Sequence, residues 1–466
     1  MAGPRVWRLN STDEMLHEAA GALGSSRIVQ VLWRFPDPVP TASLEAAWQR
    51  LNRGWLSRAA AAPRVPGARR SWVGASNEEP LRVTARPLAE ADLPGWMDAQ
   101  VRAPLPVGSA ALWRLAAAPY RGGSLVSLTV PHFRCDGLGL FRAIAADDVP
   151  AYATATAAPL GSDLGDALGQ TAGLLAGTVV WGAGLLTHPA ERRRIRAALR
   201  NGSAPAPAGS RPRFFTSAIV ETDAARWEEQ ARAHGGTANS LFVEIAANLI
   251  RARVPREQQR AVQVGIPMNL REPTADGRAN ALVVVPLTLP GGAVRHAGLR
   301  ETRQAAKAAL ASSGAHSSTL VPEALWHRLP ARHANRLKAP GAQQTDVVAS
   351  NFGQVPDAVA HFADRTADSV AMRTMNVPGL VPERARLRAS LCLLQVGGRM
   401  TVTATAIPDH FGDPESLRQL IADEFAAWGL TARPWLGAPA PYKQAPYKQA
   451  PYRQAPYKQA ANKQED

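Results

Sequence analysis

The chain has 466 residues, of which 46% are hydrophobic and 20% are charged, and its formal net charge is +15. This composition is typical of a globular protein with two or three domains, and it excludes a wholly disordered chain or a multi-span membrane protein. No basic stripe interleaves with aromatic residues and no common nucleic-acid motif occurs, so we expect no nucleic-acid partner.

Two cysteines, Cys135 and Cys392, are too few for a disulfide framework and lack the spacing of metal ligands. We therefore expect a reducing compartment and no metal site. Because no apolar run of signal-peptide length follows Met1, the expected location is the cytoplasm.

In the first half, the apolar spacing predicts helices at about 11–22 and 43–61, strands at 81–86, 111–116 and 124–130, and a helix at 137–147. The strand at 124–130 has the clearest pattern, because small polar and apolar residues alternate along it. It runs directly into the segment Pro131-His132-Phe133-Arg134-Cys135-Asp136-Gly137, which therefore lies at a strand-to-helix junction.

The stretch 167–186 is uncharged and precedes the basic run 191–196. Its five glycines and its polar residues argue against a helix that spans a membrane. We predict an interdomain helix packed on the body, with peripheral contact at a membrane surface as the alternative that the basic run favours. The stretch 201–212, rich in Pro, Gly and Ser, predicts a linker.

In the second half, strands are predicted at 214–221, 261–267, 282–289, 345–350, 387–395 and 400–407, and helices at 223–234, 240–254 and 414–428. Strands mixed with helices in both halves favour an α/β fold of two sandwiches. We divide the chain into an N-terminal subdomain (1–160), an interdomain helix and linker (161–212), a C-terminal subdomain (213–436) and a tail (437–466). The tail repeats Ala-Pro-Tyr-Lys-Gln, cannot bury a core, and is predicted to be disordered and basic.

His132 is the candidate general base, since histidine is the side chain best suited to take a proton near neutral pH. The preceding strand would fix its position, and Gly137 permits a tight backbone exit into the next helix. Asp136, four residues on, could orient the ring or form an ion pair elsewhere.

The segment His132–Gly137 resembles the core of the His-His-x-x-x-Asp-Gly motif of a superfamily with the chloramphenicol acetyltransferase-like fold. This superfamily contains condensation domains and the wax ester synthase/diacylglycerol acyltransferases. Further matches follow in the family's order, over about residues 10–430: 111–114 with Trp113, 236–240 with Asn239, 266–271 ending in Arg271, 279–290, and 347–353 with Ser350 and Asn351.

The resemblance implies two subdomains that form a V around a central channel, with His132 at its centre. It implies an acyltransferase that moves an acyl group from acyl-CoA, or from a carrier thioester, to an alcohol or lipid hydroxyl. Acyl-CoA would be a co-substrate, no cofactor would be needed, and the protein is expected to be a monomer. O-acylation is preferred because the downstream segments look more like the wax ester synthase branch.

The resemblance also implies roles for the other matched residues. Asp136 and Gly137 would be structural, with Arg271 as the partner of Asp136. The Ser350-Asn351 turn would supply oxyanion donors, and Asn239 and Trp113 would lie along the channel.

Three departures from the family pattern keep an alternative open. Pro131 replaces the first His of the pair, Ser240 replaces an Asp, and Gln354 stands where Pro is common. The alternative is a catalytically degenerate condensation-like protein that only binds or docks carrier proteins. A third interpretation is a hydrolase that uses Asp409 and His410, although the chain lacks a Gly-x-Ser-x-Gly nucleophile signature.

Overall fold

The computed structural model describes residues 6–23, 26–146, 158–200, 215–254, 261–271, 276–311, 319–330, 333, 336–337, 345–375 and 385–435. The predictions made for the linker at 201–212 and for the tail at 437–466 lie outside these residues.

The first part of the chain forms helices and the sheet at whose end the His132 segment lies. Its elements are α1 (Ser11–Leu23), β1 (Ile28–Phe35), α2 (Thr41–Arg53), β2 (Arg58–Ala61), β3 (Ser71–Gly74), β4 (Arg82–Val83), α3 (Leu93–Arg102), β5 (Arg114–Tyr120), β6 (Gly123–Pro131), α4 (Gly137–Ala145), α5 (Leu160–Thr187) and α6 (Pro189–Arg200).

The second part adds a larger sheet and its covering helices. Its elements are β7 (Thr216–Asp223), α7 (Ala224–Ala233), α8 (Ala238–Arg253), β8 (Ala261–Asn269), β9 (Leu282–Pro290), α9 (Arg300–Ala311), α10 (Glu323–Trp326), β10 (Val347–Gln354), α11 (Asp357–Ala360), β11 (His361–Phe362), β12 (Arg365–Thr366), β13 (Ser369–Met375), β14 (Ala389–Val396), β15 (Arg399–Ala406), α12 (Pro408–Phe411), α13 (Pro414–Ala427) and β16 (Arg433–Pro434).

Two main sheets organise these elements. The first has the order β13-β1-β6-β5-β4 and is antiparallel except between β4 and β5. The second has the order β16-β7-β15-β14-β10-β8-β9, with β10 parallel to both β14 and β8. The predicted mixed α/β fold with two subdomains is confirmed.

One strand crosses between the halves of the chain. β13 belongs to the second half in sequence, yet it pairs with β1 in the first sheet over the full register from Ile28↔Met375 to Arg34↔Ser369. Its residues are almost all buried. The first sheet is therefore completed by a segment more than two hundred residues downstream of β6.

The buried helix predicted at 240–254 is α8, whose residues from Ser240 to Arg251 are all buried. Thr237 caps its first turn, and its polar core residues Glu244 and Arg251 form an ion pair of 2.7 Å. Burial of these charges is tolerable because each meets an opposite charge. The core of the second half is built around this helix.

The helix predicted at 43–61 ends earlier than the sequence suggested. α2 stops at Arg53, and Gly54 turns the chain so that its N–H donates to the carbonyl of Leu51. Residues 58–61 then form β2, which pairs with β3. The apolar spacing continued through Leu56, but that side chain joins the core from the turn rather than from a helix.

α5 is the helix predicted at 167–186, and it begins seven residues earlier, at Leu160. It packs on α10, where Gly177 lies against Pro322. Across the described ranges of the chain, the structure contains no helix with both the length and the apolar character needed to cross a membrane.

Candidate active site

His132 follows the last residue of β6, at the end of the first sheet. Pro131 pairs with Ile28 of β1, and the backbone N–H of His132 donates to the carbonyl of Arg27 at 2.8 Å. The side chain is half-buried. Its Nδ1 is enclosed and has no hydrogen-bond partner among the described residues, so Nε2 is the candidate nitrogen for proton exchange with a substrate.

The surroundings of His132 keep its ring neutral. Burial, and after it the nearby Arg27 guanidinium, lower the pKa of His132 to about 4, while the charge of Asp136 acts in the opposite direction. Both main causes penalise the imidazolium form. At neutral pH the ring is therefore in the state that accepts a proton.

Asp136 is fully engaged by groups other than the ring. One carboxylate oxygen accepts from the N–H of Gly139 and from Nη1 of Arg271, both at 2.7 Å, and the other accepts from the N–H of Ala281 at 2.8 Å. The contact that the resemblance implied between Asp136 and Arg271 is thus present. The Asp136 carboxylate thus caps α4 and connects the His132 loop to the second half of the chain.

Gly137 allows a second close contact between the halves. A Cβ atom at this position would collide with the ring of Phe352 and would lie 3.0 Å from Sδ of Met372. Phe352 also packs against Phe141 of α4, with ring centroids 5.6 Å apart. The glycine of the motif is therefore required by the approach of β10 to the start of α4.

Two residues to which the sequence analysis gave no role in the site, Asn280 of the matched segment 279–290 and Asp13, hold the His132 backbone. Nδ2 of Asn280 donates to the carbonyl of His132 at 3.0 Å and to Asp13 Oδ1 at 2.9 Å, and the N–H of Asn280 donates to the same Asp13 oxygen at 2.9 Å. Asp13 is fully buried at the start of α1. Three segments far apart in sequence thus meet at the candidate base.

No family model matches the chain, and no curated protein matches it. Solved structures of other proteins, however, share its architecture. Among solved structures, the first condensation domain of the CDA synthetase is similar at 16% identity and a TM-score of 0.56, covering 92% of this chain and 97% of that one.

Two further solved structures are similar to the chain over most of its length. The first condensation domain of the calcium-dependent antibiotic synthetase in complex with substrate analogue 3a has 17% identity, coverage of 92% and 96%, and a TM-score of 0.53. A double mutant of the starter condensation domain of rhizomide synthetase RzmA has 14% identity, coverage of 91% and 95%, and a TM-score of 0.50. The chain has the condensation-domain fold. These structures do not single out the wax ester synthase branch.

Within this condensation-domain fold, two of the predicted channel residues contact each other. Nδ2 of Asn351 donates to Oδ1 of Asn239 at 3.1 Å, and Oδ1 of Asn351 accepts from the N–H of Gly353 at 2.9 Å. Asn351 is exposed and Ser350 is half-buried, and both lie within β10, paired with Cys392 and Leu393 of β14, so the predicted turn is instead a strand with a bulge after Asn351. The neighbouring Phe352 links this part of β10 to Gly137 of the His132 segment.

Trp113 does not fit the position that was predicted for it. Its side chain is fully buried in the core of the first half, where Nε1 donates to Oγ of Ser57 at 3.3 Å and the ring packs against Trp48. A side chain enclosed in this way faces no open channel. Trp113 therefore stabilises the first subdomain and does not line a substrate path.

Two departures from the motif have a local structural basis. Ser240 completes a capping box with Thr237, since its Oγ accepts from the N–H of Thr237 at 2.7 Å. It thus supplies the acceptor at the third position of α8 that an acidic residue often provides. Pro131 ends β6, where the strand pairing with Ile28 is complete.

The two cysteines are disfavoured as nucleophiles. Burial raises the pKa of both the Cys135 and Cys392 thiols to about 12, so neither forms a thiolate near neutral pH. His410 lies on the short helix α12, and its Nε2 has no partner in the part of the chain that the structure describes. In the same residues no cluster of His, Cys, Asp and Glu could hold a metal ion.

Proposed function

We propose that this protein is an acyltransferase that moves an acyl group from a thioester donor to a nucleophilic acceptor, with His132 as the general base. The observation that carries the proposal is a neutral, half-buried histidine in an HxxxDG segment, at the junction of the two sheets of a condensation-domain fold. Both oxygens of the Asp136 carboxylate accept hydrogen bonds from the protein, which supports a structural rather than a proton-transfer role for this group.

In the proposed reaction, Nε2 of His132 takes the acceptor's proton while the acceptor attacks the thioester carbonyl. The negative charge that develops on the carbonyl oxygen raises the proton affinity of the nearby ring, which offsets its low resting pKa. The C–S bond then breaks, and the imidazolium returns the proton to the leaving thiolate. No covalent intermediate on the protein is needed.

The oxyanion of the tetrahedral intermediate needs hydrogen-bond donors about 3 Å away. We assign the role of oxyanion donor to Ser350 and Asn351 of β10, which lie next to Phe352, the residue that packs against Gly137 at the start of α4. The Asn351 amide donates one of its hydrogens to Asn239, and the other, which meets no acceptor among the described residues, would donate to a substrate oxygen.

For the substrates, the sequence resemblance to the wax ester synthase branch favours acyl-CoA as donor and an alcohol or lipid hydroxyl as acceptor. The similar solved structures are domains of synthetases, which makes a carrier-bound thioester the second donor to test. The mechanism requires no cofactor besides the acyl donor.

The test is a panel of acyl-CoAs and acyl-pantetheine thioesters against long-chain alcohols, diacylglycerol and amines, with products read by mass spectrometry. We expect ester formation by the wild type and a loss of at least about a hundredfold in His132→Ala, as is typical of a general base. His361→Ala, at an exposed histidine of β11, is the matched control and should retain activity.

Two results would contradict the proposal. One is transfer by His132→Ala at the wild-type rate. The other is no transfer from any thioester by a folded wild type, which would favour the docking protein that the Pro131 replacement first suggested.

A further inference from the structure

α5 exposes an unusual amount of apolar surface. The described residues contain eleven exposed large hydrophobic side chains, and seven of them lie on this helix: Leu160, Leu164, Leu168, Leu175, Val179, Val180 and Leu186, with exposed fractions between 51% and 77%. Contiguous apolar surface of this kind on a folded protein indicates an interaction site.

Five of the exposed residues form one continuous stripe. Leu164, Leu168, Leu175, Val179 and Leu186 recur at intervals of four and seven residues, which places them on the same face of a helix. The stripe extends over most of the 28 residues of α5. A helix of this length presents roughly 40 Å of apolar edge.

The opposite face of α5 is held by the protein, so the stripe has a fixed direction. Asp163 and Asp166 form ion pairs with Arg8 and Arg69 at 2.6 and 2.7 Å. Towards the other end, Trp181 packs in a cluster with Trp326 and Val321. The helix therefore lies along the surface of the body with its apolar stripe turned outward.

The next helix adds positive charge beside this stripe. α6 carries five arginines and a single acidic residue, Glu191, and it contacts α5. Arg193 and Arg196 are exposed, while Ile195 packs back into the cluster of Trp181. The apolar stripe of α5 is thus followed by exposed arginines on the next helix, which contacts α5.

A second copy of the chain could cover the apolar stripe but would not supply anionic partners for the arginines. The stripe could pack on another α5, but the two charged residues of α5 are already paired within the chain. The arginines of α6 would then meet either like charges or an uncharged helix. An anionic bilayer supplies acyl chains for the stripe and phosphates for the arginines.

We propose that α5 and α6 bind the surface of an anionic lipid bilayer, with the α5 stripe inserted at the level of the headgroups and the α6 arginines on the lipid phosphates. This inference does not depend on the proposed acyl transfer. If both hold, the bilayer would bring a lipid acceptor to the same molecule.

The test uses the full chain and vesicles of phosphatidylcholine, with or without about one third phosphatidylglycerol, in a flotation assay. The wild type should bind the anionic vesicles, and less strongly as salt increases. Leu175→Glu with Val179→Glu should weaken partitioning at least about tenfold, and Arg193→Glu with Arg196→Glu should have a similar effect.

Matched controls distinguish binding through this surface from nonspecific binding to vesicles. Every variant retains the basic tail, so a difference between variants does not come from the tail. Val294→Glu replaces an exposed valine elsewhere, and Arg232→Glu replaces an exposed arginine of α7. Both controls should bind like the wild type. Because all substituted side chains are exposed, circular dichroism should be unchanged.

Three outcomes would overturn the proposal. The wild type could fail to bind anionic vesicles, or the α5 variant could bind them as well as the wild type. Light scattering could instead reveal a dimer that dissociates in the α5 variant while vesicles are not bound, which would make a second copy the occupant.

Discussion

Arg27 immediately precedes β1, and His132 immediately follows β6. The pairing of these two strands in the first sheet therefore fixes the distance between the two residues. None of the ion pairs among the described residues includes Arg27, and its charge lowers the pKa of the His132 ring against the opposing charge of Asp136. This neighbour could not be inferred from the sequence, because about one hundred residues separate the two positions. His132, Asp136 and Arg271 could be inferred, because the motif places them.

Arg27→Met should raise the pKa of His132, because removing a nearby positive charge makes the imidazolium less costly. The base works only when neutral, so activity is lost as the pH falls through this pKa. The acid limb of the kcat/KM profile should therefore move to higher pH in the variant, with little change above pH 7. Arg232→Met is the control, and an unmoved acid limb in Arg27→Met would contradict the assignment.

Asp13 was missed for a similar reason, since its contact with Asn280 joins residues 267 positions apart. Burial raises the pKa of Asp13 to about 6 from an ordinary value of 3.8, with hydrogen bonds from Asn280 limiting the rise. The folded state therefore holds this proton more tightly than the unfolded chain. The stability that the protonated carboxyl contributes is complete below about pH 4 and is lost as the pH rises through 6.

Asp13→Asn stays neutral and escapes this loss. Relative to the wild type, its free energy of unfolding should improve by about 2 kcal/mol between pH 4 and pH 7.5. Urea denaturation at both pH values measures the change. Asp423→Asn, at an exposed position of α13, should show no such trend, and a flat difference for Asp13→Asn would mean that the carboxyl is not the titrating group.

At the scale of elements, the sequence predicted the strands and helices with a clear period and missed those without one. β1 reads Ile-Val-Gln-Val-Leu-Trp-Arg-Phe and is buried on both faces, so apolar residues do not alternate with polar ones along it. Its buried Gln30 is satisfied by Ser127 and Arg373, partners that only the folded sheet provides. Polar residues of this kind conceal a central strand from pattern analysis.

The junction of β10 and α4 depends on a glycine. Gly137→Ala should cost about 1–3 kcal/mol of stability and reduce activity, because the added Cβ forces Phe352 and Met372 away from α4. Thermal denaturation measures the loss, and adding Phe352→Leu should restore part of it. Gly161→Ala in α5 is the matched control, since nothing lies within 4 Å of its added Cβ, and it should be neutral or slightly stabilising.

At the scale of the whole molecule, β13 makes the two halves depend on each other. Without it, β1 would become an edge strand with unpaired N–H and C=O groups along its whole length. The sequence predicted a linker at 201–212 and two subdomains, but it could not show that a strand after the linker returns to the first sheet. Such a pairing has no local signature.

This dependence predicts the outcome of dividing the chain within the linker. Residues 1–212 expressed alone should aggregate, because the exposed edge of β1 presents buried residues such as Val29, Val31 and Trp33 to other chains. Co-expression with residues 213–466 should yield a soluble complex, since β13 then closes the sheet. Size-exclusion chromatography distinguishes the two cases. A soluble monomer of residues 1–212 with a cooperative unfolding transition would show that β13 is dispensable and that the first half is a domain in its own right.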